Sequence, residues 1–258
     1  MRRPVTALAL AVVAVLLMVA PVGAILNGQP DGDGHPYVGV ALLPVEGGIV
    51  FCSGSLIDAT HFVTAAHCFE ESGQQVLLTF DPLSIFSPKF PGNLVTGRWF
   101  PDPNFCLGCA PGLPGFDTHD VAVIVLDAPV VLDRYAQLPT EGLVDTLGKG
   151  AQVDSVGYGL QVREKKLDDD QLLTRYVAVS NVSRSHGRIS EEFLKLSANP
   201  SQGKGGTCFG DSGGPNLLRG TDTILGINSF GTNSNCAGVS YSYRIDTAAA
   251  LQFIESFL

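Results

Sequence analysis

Apolar residues recur at strand spacing in short runs along most of the chain, and the runs are separated by glycine- and proline-rich turns. Strands are predicted near Tyr37–Leu43, Val50–Ile57, Gln75–Phe80 and Leu94–Phe100. Pro101–Gly115, dense in Pro, Gly and a Cys-Leu-Gly-Cys pair, reads as a loop, and the unbroken apolar run Val121–Leu126 suits a buried strand. Asp127–Thr140, with two prolines and few strand signals, is the expected crossing between two halves. The second half repeats the style at Gln152–Tyr158, Leu172–Ser180, Phe193–Ser197, Thr223–Phe230 and Val239–Ile245, and the charge run Arg163–Gln171 reads as a solvated loop. At the end, Asp246 is the expected N-cap of a helix whose one face carries Ala250, Phe253, Ile254 and Phe257. Many short strands closing on one helix predict barrels or a sandwich.

The first 24 residues depart from this pattern. Arg2 and Arg3 precede the apolar run Val5–Ala20, and Val22-Gly23-Ala24 offers small residues where a signal peptidase reads, so 1–24 is expected to be a secretory signal peptide. The run is 16 residues, short of the roughly 20 that span a bilayer. The remainder divides, on this reading, into residues 25–135 and 136–258. Losing Arg2 and Arg3 takes the net charge from -9 to -11. An acidic surface disfavours nucleic acid and anionic membranes as partners. Asn181-Val182-Ser183 is a glycosylation acceptor if the host glycosylates.

Six cysteines (Cys52, Cys68, Cys106, Cys109, Cys208 and Cys236) in an exported chain point to disulfides, with 15 pairings open. Cys106 and Cys109 have the spacing of half a zinc site, but no second such pair completes it. Glu70 and Glu71 read as surface carboxylates rather than calcium ligands. No metal and no cofactor is expected.

The chemistry gathers in three stretches. In GDSGG, Gly210–Gly214, a serine stands among glycines that let backbone N–H groups point inward. A serine hydroxyl needs a base, and the base an orienting acid. His67, in VTAAHCF between small residues and Cys68, is the candidate base; His35, His61, His119 and His186 read as surface histidines. Asp120, at the mouth of the apolar run, is the candidate acid, because a buried carboxylate needs a donor. Asp117 and Asp127 read as turn or strand-end residues.

TAAHC, HDVAVIVL and GTCFGDSGGP, in that order, resemble the chymotrypsin (trypsin-like) family of serine proteases across nearly all of residues 25–258. The resemblance implies an all-β fold of two packed six-stranded antiparallel β-barrels with a C-terminal α-helix. It also implies a secreted endopeptidase with Ser212 as nucleophile, His67 as general base and acid, Asp120 as orienting carboxylate, and the N–H groups of Gly210 and Ser212 as oxyanion hole. It pairs Cys52 with Cys68 and Cys208 with Cys236, and leaves Cys106 to Cys109. Ser229-Phe230-Gly231 resembles the Ser-Trp-Gly strand that walls the specificity pocket, with Phe209 at its rim. FCSGSLI, Phe51–Ile57, resembles the family's CGGSLI with a serine in place of one glycine.

In trypsins an aspartate six residues before the nucleophile binds a cationic side chain; here that position is Gly206, so an uncharged, apolar P1 residue is expected. The family's new N-terminal amine pairs with the acid before the nucleophile, which makes Ile25 and Asp211 the expected activation pair. The residue before Ile25 is Ala24, so signal cleavage itself would expose that amine. Polypeptide substrates, protein protease inhibitors and a monomeric state follow from the same likeness. Two other readings stand beside it: a catalytically silent binding protein on the same fold, and an esterase using the same triad.

Overall fold

The computed structural model describes residues 25, 27–109, 117–160, 173–183, 188–198, 204–232, 236 and 238–258. The expected signal peptide, Leu26, the Arg163–Gln171 loop, Leu172 and His186 lie outside the described residues.

Thirteen strands and two helices are described. The first barrel comprises β2 (Val38–Val45), β3 (Gly48–Leu56), β4 (His61–Thr64), β5 (Gln74–Thr79), β6 (Val95–Pro101) and β7 (Ala122–Leu126), closed in the order β2-β3-β4-β7-β6-β5. The second comprises β8 (Gln152–Gly157), β9 (Tyr176–Val182), β10 (Phe193–Ala198), β11 (Pro215–Leu218), β12 (Ile224–Gly231) and β13 (Gly238–Arg244). Their order is β9-β10-β13-β12-β11-β8, and the β8–β9 pairing closes the ring. All these pairings are antiparallel, so the expected pair of six-stranded barrels is the fold. Closure leaves no open sheet edge. The two-residue β1 (Gln29–Pro30) pairs with β9, so the start of the chain lies against the second barrel.

Side-chain alternation places the cores. β9 alternates strictly between buried and half-buried positions, as period-2 geometry requires of a sheet with one dry face. β7 is buried at four of its five positions, matching its unbroken apolar run. Trp99, Phe62, Leu56, Leu78 and Ile124 fill the first barrel with essentially no exposure, and Phe193, Leu196, Ile224 and Ile227 do so in the second.

The structure adds elements and moves one cap. β1, β4 and β11 were not expected, and neither was the short helix α1 (Arg188–Glu192). The terminal helix α2 (Ala248–Glu255) buries Ala250 and Ile254, with Phe253 and Phe257 packed at the core's edge. Its N-cap is Thr247, whose hydroxyl accepts from Ala250 N; Asp246 instead takes two hydrogen bonds at 2.8 Å from Arg244. Asn181 sits within β9, in register with Gln152 and Ser197, and its buried side-chain oxygen has no partner among the described residues. No described helix is long and apolar enough to cross a membrane.

Candidate active site

The cleft between the barrels collects the three chemical stretches. His67 lies in a single 3₁₀ turn, Ala66–Cys68, directly after β4. Its small neighbours have a packing reason: Ala65 and Ala66 have no exposed surface, and the indole N–H of Trp99 reaches Ala65 O at 3.5 Å. A Cys52–Cys68 disulfide ties the turn to β3. Cys208–Cys236 and Cys106–Cys109 are the other two bridges, so all three pairs are those the resemblance implied.

Asp120 is fully buried just before β7. Its Oδ2 accepts from His67 Nδ1 at 2.8 Å and its Oδ1 from the His67 backbone N–H at 3.0 Å. From the opposite barrel, the Ser229 hydroxyl donates to Oδ2. Burial alone would raise the Asp120 pKa, but the His67 charge and these hydrogen bonds hold it below the ordinary carboxylate value. Burial alone would lower the His67 pKa; the Asp120 charge, its hydrogen bond and a further push from Asp117 hold it above the usual value. The pair therefore favours imidazolium against carboxylate.

Asp117 is not the ordinary turn residue expected. Its carboxylate lies with His67 and Asp120, one potential ligand atom from each within 4.8 Å of the others. Burial raises its pKa, and it accepts the Gly108 N–H at 2.6 Å, which ties the Cys106–Cys109 loop to the site. The three residues have the chemistry of a metal cluster, but His67 Nδ1 is already bonded to Asp120 Oδ2, and Asp120 Oδ1 already accepts the His67 backbone N–H. The remaining described histidines are half-buried against carboxylates rather than free on the surface: His35 with Asp31, His61 with Asp58, and His119 with Asp102. Asp127 accepts the Thr96 hydroxyl at a strand end, as expected. Glu70 and Glu71 are exposed.

The GDSGG turn approaches from the second barrel. Gly210 has φ +91°, and a Cβ there would come within 2.2 Å of the Phe51 ring; only glycine fits. Gly213, at φ +75°, would place a Cβ 2.1 Å from the Thr64 hydroxyl. The turn can therefore pack directly on the first barrel. Among the described residues, neither the Gly210 nor the Ser212 N–H has an acceptor within the protein, and the Ser212 hydroxyl makes no hydrogen bond. Asp211 is fully buried, its carboxylate accepting from Gly159 N and Cys208 N, each at 2.8 Å. Burial drives its pKa up to about 7, partly offset by those two N–H groups, and no described cation pairs with it. Ile25 is buried as well, and no hydrogen bond joins it to Asp211 among the described residues.

Beside Ser212 lies a cavity of about 240 Å³, lined by Thr207, Cys208, Phe209, Asn228, Ser229, Phe230, Gly231 and Cys236. Phe230 stacks on Tyr241 with centroids 5.2 Å apart and forms a flat wall; Phe209 is half-exposed at the rim. Gly206 lines a smaller adjoining cavity with Thr207, Gly231 and Ser240. Asn228 was not foreseen. It borders the main cavity, and its side-chain N–H donates to Asp211 O at 3.1 Å.

Comparison with known proteins places this arrangement among others. The family description Trypsin matches residues 28–254. Granzyme M of Rattus norvegicus is 29% identical over 77% of this chain and 75% of its own length. Brachyurin of Leptuca pugilator is 31% identical over 72% of this chain and 78% of its own. The solved structure of HL collagenase superposes with a TM-score of 0.64 at 21% identity, covering 86% of this chain and 93% of the other. Human heparin binding protein gives 0.63 at 19%, covering 90% and 95%.

Proposed function

This chain belongs to the trypsin family of serine proteases, and from that membership we propose that it is a secreted endopeptidase in which His67, Asp120 and Ser212 carry the chemistry. The observation that carries the reading is the use of Asp120. A fully buried carboxylate is costly, and here it accepts both the ring and the backbone N–H of one partly buried histidine.

The steps follow from the donors and acceptors present. Ser212 Oγ attacks the peptide carbonyl carbon as its proton passes to the free ring nitrogen of His67, and Asp120 stabilises the imidazolium. The oxygen that gains charge takes hydrogen bonds from the Gly210 and Ser212 N–H groups, which no protein acceptor competes for among the described residues. His67 then protonates the leaving amine, and water, deprotonated by the same ring, releases the acyl group from Ser212.

The P1 side chain is uncharged and apolar on this reading. Among the described residues no carboxylate lines the 240 Å³ cavity, and a cation there would lose its hydration without a counter-charge. Cleavage after Ala24 frees the Ile25 amine, which pairs with Asp211. Substrates are polypeptides, protein inhibitors bind the same cleft, and the enzyme acts as a secreted monomer without cofactor.

Labelling by a fluorophosphonate and turnover of a peptide library, before and after Ser212→Ala, test the core of this. The variant is expected to lose labelling entirely and roughly 10⁶-fold in kcat. Retained cleavage in the variant would overturn the mechanism. A processed wild-type chain that resists the probe would make it a silent binding protein on this fold.

A further inference from the structure

One residue of the first barrel holds both carbonyls that flank the buried acid of the GDSGG turn. Ser53, fully buried on β3, stands where the resembling CGGSLI motif has glycine. Its hydroxyl donates to Gly210 O at 2.9 Å and accepts the Tyr158 N–H at 2.9 Å. Its backbone N–H donates to Ser212 O at 2.9 Å, and its own carbonyl accepts the Thr64 hydroxyl at 2.8 Å.

The consequence lies in the peptide joining Gly210 to Asp211. Its carbonyl is held by the Ser53 hydroxyl, and its N–H donates to Cys208 O at 3.1 Å. A peptide unit is a rigid plane, so anchoring it at both ends sets ψ at Gly210. Glycine supplies no steric preference of its own there. With φ at +91°, the anchored plane sets where the preceding N–H, that of Gly210, points. The backbone bond from Ser53 N to Ser212 O would survive any side-chain change; the bond to Gly210 would not.

We propose that Ser53 is a positioning residue for the oxyanion hole, its hydroxyl locking the Gly210–Asp211 peptide so that the Gly210 N–H stays aimed at the reacting oxygen. The proposal rests on the serine-protease reading. Ser53 touches neither substrate nor the reacting atoms.

The test uses processed wild-type protein, Ser53→Ala and Ser53→Gly. Three assays are run on each: kcat and KM on a peptide amide, the rate of fluorophosphonate labelling, and inhibition by a peptide aldehyde and by the matching alcohol. The aldehyde forms an oxyanion with Ser212; the alcohol reports ground-state binding only. Both variants are expected to lose about 10- to 100-fold in kcat, labelling rate and aldehyde affinity, less than deletion of a direct donor. KM and alcohol inhibition are expected to stay within about threefold, since uniform binding is untouched. If Ser53→Ala does not fold, Ser53→Gly alone decides, because glycine is the residue of the resembling motif. Unchanged kcat and aldehyde affinity, or equal losses for aldehyde and alcohol, would overturn the proposal. Failure of the wild type itself to label would instead refute the protease reading.

Discussion

His67 has two carboxylate neighbours, and they act differently. Asp120 is hydrogen-bonded to it, buried and held below the ordinary pKa; Asp117 only adds negative potential, and burial raises its own pKa. Removing the second charge therefore relieves imidazolium stabilisation without disturbing ring orientation. The Asp117→Asn enzyme is expected to keep its kcat at alkaline pH, while the acid limb of its pH–kcat/KM profile moves to lower pH. The sign follows from the direction: a base whose pKa falls stays neutral, and active, further into acid. An unmoved or rising limb in that profile would show that Asp117 does not act on His67. The candidates His67, Asp120 and Ser212 stand out in the sequence because each sits in a motif whose neighbours are unusual for composition alone. Asp117 was not legible, since the two polar loop residues that separate it from Asp120 do not say which way the loop folds. Asn228 was hidden more deeply, as a polar residue in an otherwise ordinary strand.

Strands read well where the apolar run exceeded about five residues and poorly elsewhere. β4 and β11 are four residues each and adjoin the histidine motif and the glycine-rich turn, so local turn chemistry masked them. They form because barrel closure supplies partners on both sides, β3 and β7 for one and β8 and β12 for the other. That long-range pairing leaves no local trace. The terminal helix shows the same limit at finer grain. Asp246 and Thr247 are both good caps by type; the choice fell to Thr247 because Arg244, itself bonded to Asp145, claims the Asp246 carboxylate. Thr247→Ala is accordingly expected to cost about 1 kcal/mol of stability, measured by urea unfolding in the Ser212→Ala background, with kcat unchanged when the same substitution is made in the protein that retains Ser212. A loss within error would mean that the α2 cap adds nothing to stability.

At the scale of the molecule, contacts between distant segments decide what the turn can do. Arg175, buried before β9, donates to Val38 O and Phe80 O of the first barrel and to Gly32 O and Asp31 of the N-terminal segment. That segment is thereby fastened between the barrels, with Ile25 buried a few residues upstream. Asp211, far along the chain, is buried with two backbone donors and no described cation, and its pKa stands near 7 against 3.8 unfolded. A folded-state pKa raised this way means the native chain binds the extra proton. Its stabilising contribution is complete below about pH 4 and is lost as pH rises through about 7. An N-terminal amine brought beside Asp211 reverses the sign for the carboxylate, depressing its pKa. The amine's own pKa rises above its free value of roughly 8, so pairing stabilises until pH climbs through that raised value. Two forms of the Ser212→Ala chain, one starting at Ile25 and one extended back to Gly23, should then diverge. The extended form is expected to lose melting temperature between pH 5 and pH 8 while the Ile25 form holds, with activity of the wild-type Ile25 form fading only at more alkaline pH. Parallel melting curves across that range would show that the amine and Asp211 do not meet, and would leave signal cleavage without a role in activation.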